Sequence, residues 1–172
     1  MFHALFPRFA QWAFAATVCV LLAGCASGSY SPGPLAPGAT QADATARMGL
    51  PTGRHALAGG GERLEFARGP AGRHTFMLDF GSDGKLTRIE QVLTEANFLQ
   101  IEVGMSADEV RKRIGRPGRV TLLTRQQHEL WWYTFDSPFC LVFTVSIDRD
   151  AKVAEFGNLP DPRCEGGLFN RN

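Results

Sequence analysis

The chain of 172 residues has almost no excess of charge: 18 Lys+Arg stand against 17 Asp+Glu, a formal net charge of +1. A protein whose main work is to grip nucleic acid carries a strong basic surplus, so the balance argues against that class and no nucleic-acid partner is expected. Cysteine is scarce, four in all, too few for a disulfide-dense scaffold. No apolar run reaches the roughly 20 residues that a membrane-crossing helix needs. Signatures of catalysis and metal binding are missing as well. There is no Gly-x-Ser-x-Gly turn, and Gly59-Gly60-Gly61 is not followed by the Gly-Lys-Ser/Thr of a phosphate cradle. His55, His74 and His128 lie in separate segments without metal-ligand spacing and are expected on the surface or at strand edges. Asp148 and Asp150 lack the Gly and distal Glu of a calcium loop and suit a turn instead. These absences lead to the expectation of a protein that is not an enzyme and has no cofactor or metal. At 44% hydrophobic and 20% charged the composition is ordinary for a folded domain, although 19 Gly and 10 Pro are many for this length.

The glycine and proline are unevenly placed, and the N-terminus explains part of this. Residues 1–24 have one cation, Arg8, an apolar stretch from Trp12 to Leu22, and no acid before Asp43. That is the build of a secretory signal. Leu22-Ala23-Gly24-Cys25 followed by Ala26-Ser27-Gly28 resembles the lipobox of bacterial lipoproteins. The resemblance implies cleavage before Cys25, with a diacylglycerol on its thiol and an acyl chain on its new amine. Each buried methylene contributes about 0.8 kcal/mol, so chains of this size anchor stably. Ala26 stands where an Asp would retain an enteric lipoprotein at the inner membrane, which implies the periplasmic face of the outer membrane. Residues 25–37 then read as the lipidated Cys and a flexible Ser/Gly/Pro tether in which Tyr30 and Leu35 are the larger side chains. Cys140 and Cys164 remain. In an oxidising periplasm a lone pair most simply forms one disulfide, and the alternative, a reactive or metal-binding thiol pair, lacks Cys-x-x-Cys spacing.

Beyond the tether the chain repeats itself. Gly38, Thr40, Arg47, Gly49 and Pro51 recur as Gly104, Ser106, Arg113, Gly115 and Pro117. After a one-residue shift, Glu62, Leu64 and Phe66 align with Glu129, Trp131 and Tyr133. Phe76, Leu78 and Phe80 align with Phe143, Val145 and Ile147, and Asp83, Lys85 and Leu86 with Asp150, Lys152 and Val153. This register predicts a tandem duplication, 38–93 and 94–164, with a tail 165–172. In the second copy Ser106 and Glu109 form a capping box, Met105 and Val110 a staple, and Gly115 and Pro117 a stop. A short helix within Thr94–Ile101 precedes it. Period-two alternation over Trp131–Phe135 and Leu141–Ile147 predicts antiparallel strands, with hairpin turns at 81–84 and 148–151. The expected fold class is α+β: two tandem units, each a short helical hairpin packed on an antiparallel sheet, the first degenerate because the tether stands in place of its first helix.

The frame Gly104-Met105-Ser106…Val110…Ile114-Gly115-x-Pro117, then Trp131-x-Tyr133 and the Val142–Phe156 hairpin, resembles the SmpA/OmlA (BamE-like) family of outer-membrane lipoproteins. In tandem, such units resemble the β-lactamase inhibitor protein fold. The family's member in the β-barrel assembly machine carries one unit, and its Gln-Gly-Asn stretch is replaced here by Thr94–Leu99.

Two features are candidates for binding. Arg111, Lys112, Arg113, Arg116, Arg119 and Arg125 share a stretch without acids; they are either a solvated helix end or contacts for anionic headgroups or an acidic partner. If Trp131, Tyr133 and Phe135 face the core, Trp132 stands on the opposite sheet face, either open for a protein partner or covered by the other copy. The expected function is that of a lipid-anchored periplasmic interaction protein of the outer membrane, assisting outer-membrane protein assembly or envelope integrity. The alternative is an inhibitor that binds a soluble enzyme through a concave sheet face.

Overall fold

The computed structural model describes residues 31–69 and 72–165. The signal, Cys25 and the start of the tether lie outside these residues, as does the tail beyond 165. The fold is mixed α+β and mostly β, with two four-stranded antiparallel sheets. The first half runs α1 (Gln41–Met48), β1 (Gly53–Ala56), a 3-10 turn (Ala58–Gly60), β2 (Glu62–Ala67), β3 (Thr75–Phe80) and β4 (Leu86–Gln91). The second runs α2 (Glu95–Phe98), α3 (Ala107–Ile114), β5 (Arg119–Leu123), β6 (His128–Thr134), β7 (Leu141–Ile147), β8 (Val153–Pro160) and α4 (Pro162–Glu165). Each sheet keeps its strands in chain order, so every connection is a hairpin or a short turn.

Local chemistry sets the helices. Thr40 and Ser106 cap α1 and α3, and each completes a capping box with the acid three residues on, Asp43 and Glu109. Those hydrogen bonds hold both carboxyls below their ordinary range. Both helices stop at a glycine with positive φ, Gly49 (φ 84°, ψ −168°) and Gly115 (φ 80°, ψ −173°). The ψ values are extended, not left-handed helical, a region open in practice to glycine alone. In the second half α2 is a single turn, so the expected helical hairpin is reduced to one turn followed by a two-turn helix. Residues 31–37, expected in the tether, lie against the first half: Pro32 is buried and Leu35 packs on the core, and at the start of the first copy Gly38 N–H donates to the Leu86 carbonyl.

The sheets repeat each other in register. Leu64 pairs with Leu78 and Phe66 with Phe76; Trp131 pairs with Val145 and Tyr133 with Phe143. A bulge falls between Asp79 and Phe80, and another between Ser146 and Ile147. Isolated bridges tie Thr40 to Lys85 and Ser106 to Lys152. Alternation then gives each sheet one core face. Leu64, Phe66, Leu78 and Phe80 meet Ala44 and Met48 of α1. Trp131, Tyr133, Phe143 and Val145 meet Val110 and Ile114 of α3, and Phe98 stacks on Phe143 at 4.1 Å.

The outer face of the first sheet is covered as well along its central strands, while Arg88 on β4 stays exposed. Glu65, Thr75 and Met77 on that face are each at most 2% exposed. What closes it is the C-terminal end of α3. Arg63 donates to the Lys112 carbonyl at 3.0 Å, and the Arg116 N–H donates to Glu65 Oε1 at 3.2 Å. A Cβ added at Gly115 would lie 2.8 Å from Thr75 Cγ2. The two halves therefore meet sheet face to helix end, and the absence of a side chain at Gly115 permits the approach.

Candidate interaction surface

Strand alternation decides which aromatic faces where. Trp131 and Tyr133 point into the core and are 1% exposed, which leaves Trp132 on the outer face, half-buried. Its cover comes from its own sheet. Arg119, its cross-strand partner, lays its guanidinium 4.1 Å from the ring centre, and the indole N–H donates to Thr121 Oγ1 at 3.1 Å. A cation over an indole face is stabilised by the ring quadrupole, by about 0.5–1 kcal/mol where solvent reaches it.

Trp132 and Arg119 border a cavity of about 270 Å³, completed by Thr134, Val142, Asp161, Pro162 and Arg163. The far wall is held in place by covalent and ionic ties. A disulfide joins Cys140 and Cys164, their Cα atoms 6.4 Å apart. Asp161 N–H donates to the Cys140 carbonyl, and Cys164 N–H to the Asp161 carbonyl. Arg163 donates from Nε and Nη2 to the Asp161 carboxylate and from Nη2 to Thr134 Oγ1 at 3.0 Å. Arg163 holds the Asp161 carboxyl below its ordinary range, and Asp161 raises the guanidinium in return. Asp161 is thus internally neutralised, and Arg119 is the cation left facing the cavity. Cys140, Cys164 and Asp161 also bring their ligand atoms within 4.8 Å of one another. With the sulfurs joined to each other, the group offers a carboxylate and no thiolate.

The basic stretch does not form one patch. Arg111 lies 4.5 Å over the Trp131 ring on the helix side and pairs with Asp108 at 3.1 Å. Arg119 sits over Trp132 on the opposite side. Arg113 reaches back to Gln100, and the exposed Arg116 contributes its backbone N–H to the seam between the halves. Lys112 and Arg125 are exposed.

The seam holds Glu65, Arg63 and Asp79, which sequence reasoning did not single out. Glu65, 2% exposed, accepts from Thr52 Oγ1 at 2.9 Å and from the Arg116 N–H, and His55 Nε2 lies 3.4 Å from its other oxygen. The Thr52 hydroxyl is directed at the carboxylate and not at the imidazole, so the trio is not arranged as nucleophile and base. Arg63 and Asp79 form a two-pronged pair at 2.6 and 2.8 Å, which raises the Arg63 pKa. His74 meets Asp136 across the seam at 2.6 Å, and His128 bonds Ser146 at 3.0 Å. The Tyr133 hydroxyl donates to the Gly115 carbonyl, and burial pushes its pKa well above the usual tyrosine range. A polar residue on the outer face of an alternating strand gives no sign of such burial, because the covering element lies about 50 residues further along the chain.

No family model, curated protein or solved structure matches the chain. Among the described residues no helix is long and apolar enough to cross a membrane.

Proposed function

We propose that the chain is a lipid-anchored periplasmic interaction protein of the outer membrane, built as two tandem units of the BamE-like kind. The anchor is the diacylglyceryl and N-acyl group on Cys25, and the partner is a protein of the envelope or of outer-membrane protein assembly. The reading rests on the residues of the SmpA/OmlA-like frame and of the lipobox. The observation that carries the binding role is the Trp132–Arg119 pair at the mouth of the 270 Å³ cavity. An aromatic ring with a guanidinium on a rigid strand, backed by a disulfide-held wall, suits a recognition hot spot. The inhibitor alternative also has this face to work with, but it loses the outer face of the first sheet, where Glu65 and Met77 are covered.

A photoreactive amino acid at position 132 of the full-length, secreted chain tests the reading, together with lipid labelling at Cys25. The expected result is lipid label that C25S abolishes, and a crosslink to an envelope protein that weakens when C25S releases the chain from the membrane. Absence of lipid label, or a crosslink to one soluble hydrolase that C25S leaves unchanged, would overturn it in favour of the alternative.

A further inference from the structure

Four strands lie at sheet edges, and three of them are guarded. The edge β1 has four residues, begins with Gly53, and carries Arg54 paired with Glu62 at 2.8 Å. Along β4, Leu86 exchanges backbone hydrogen bonds with Gly38 and Ala39, and Arg88 pairs with Glu90 at 2.9 Å. Along β8, Val153 is bonded to Gly104 and Met105, Glu155 places a charge on the strand, and Pro160 ends it. Such covers, charges and prolines keep edges from pairing with other chains.

The fourth edge, β5, has the least of these: no cover and no proline, and its one charge, Arg119, is laid over Trp132 on the outer face. Its sequence Arg-Val-Thr-Leu-Leu contains no Gly, Pro or acid. Among the described residues no backbone bond reaches it from outside its own sheet except through β6. Val120 is 51% and Leu122 64% exposed on the helix side of the sheet. The register sharpens the contrast. Ala56 pairs with Glu62 at the first edge as Leu122 pairs with Glu129 at the second, so Val120 stands where the first sheet has its guarding Arg54.

We propose that β5 is a docking edge for an extended acidic segment of a partner protein, which adds to the second sheet as a fifth strand. Main-chain hydrogen bonds would hold it, with its apolar side chains beside Val120 and Leu122 and its carboxylates beside Arg119. Charge selects this occupant over a second copy of the chain. Arg116, Arg119 and Arg125 are all exposed along or next to the strand. Two β5 edges paired with each other would set these cations against their own kind. The nearby Glu129 is engaged by the Trp131 indole N–H at 2.9 Å. The proposal rests on the reading of the chain as an interaction protein but not on its lipid anchor.

The test is fluorescence polarisation with the full-length chain in detergent and a labelled peptide of about nine residues, long enough to cover one strand. The peptide alternates Leu or Val with Glu. Two controls accompany it, one with Lys for Glu and one N-methylated along the edge that would face β5. The acidic peptide is expected to bind, and each control to bind at least roughly tenfold more weakly. V120R, which restores the guard of the first edge at an exposed site, is expected to weaken binding by a similar factor without altering the circular dichroism. Equal binding of the N-methylated peptide overturns strand addition. Self-association of the chain that V120R abolishes assigns the edge to a second copy and overturns the proposal too. Failure of every peptide while position 132 still crosslinks a partner removes the docking edge and leaves the interaction reading standing. Peptide binding without any crosslink at 132 does the reverse.

Discussion

The seam between the halves gives the most direct test of the fold, because the molecule contains its own control. Gly49 and Gly115 end equivalent helices with nearly the same backbone angles. An alanine at either position is forced into a glycine-only region, at a cost of about 1–3 kcal/mol. The surroundings differ. A Cβ at Gly49 has nothing within 4 Å, whereas one at Gly115 lies 2.8 Å from Thr75 Cγ2 and 3.4 Å from both Glu65 Cδ and Met77 Cε. Thr75 is 2% exposed and on a central strand, so it cannot swing aside. Overpacking of this kind costs about 1–3 kcal/mol more. G115A is therefore expected to exceed G49A by that second amount. T75S removes the clashing methyl and should recover about 1 kcal/mol or more of the excess in a double-mutant cycle. Urea unfolding at unchanged m-value reads both quantities. Equal losses for G49A and G115A, or no coupling between positions 115 and 75, would refute the packing of α3's end on the first sheet.

Three further outcomes follow from the same contacts. Replacing Cys140 and Cys164 by serine opens a loop of sequence separation 24, and the chain-entropy relation puts the loss near 3.5 kcal/mol; unchanged unfolding midpoints would show that the bridge does not constrain the chain. R63M and D79L should each cost about 3 kcal/mol by leaving a largely buried partner unpaired, while the double substitution should cost less than their sum; additive losses in the cycle would contradict a direct pair. The lowered carboxyls of Asp43 and Glu109 contribute stability that is present above their unfolded pKa of about 4 and lost as pH falls through the folded values. D43N with E109Q should flatten the acid limb of a circular-dichroism titration, and an unaltered acid limb would count against the capping boxes.

Local features were legible in the sequence where the physics is local. The capping box at Ser106, the helix stop at Gly115, and the alternation that buries Trp131 and Tyr133 each depend on residues within one strand or one turn. The repeat alignment carried the strand register as well, because the bulges at Asp79 and Ser146 fall at matching positions of the two sheets. What escaped depends on contacts between distant segments. The basic stretch looked like one patch in one dimension, but the turn after α3 sends Arg111 and Arg119 to opposite faces of the second sheet. Asp161 and Arg163 wall the cavity because the disulfide at Cys164 holds this segment beside Thr134. The burial of Glu65 comes from the other half of the molecule.

Glu65 and Trp132 make the asymmetry of the two halves concrete. They hold equivalent places, each on the second strand of its sheet and each next to a matched core residue, Leu64 or Trp131. Glu65 pairs across to Met77 and Trp132 to Thr144. At the first position a carboxylate accepts the Arg116 N–H and is sealed beneath the end of α3. At the second an indole lies under Arg119 at the rim of a cavity. The first sheet has given the outer face of its central strands to the seam. The equivalent face of the second sheet buries Val142, Thr144 and Ser146 on its central strand but keeps Trp132 and Arg119 at its rim. The edges diverge in the same sense: Arg54 guards the first sheet where Val120 leaves the second bare. One half has become the platform, and the aromatic face and the open edge are concentrated in the other. The two halves can differ in this way because the seam uses a different face in each, so Trp132 and Arg119 can change without altering Glu65, Thr75 and Met77, which meet the end of α3.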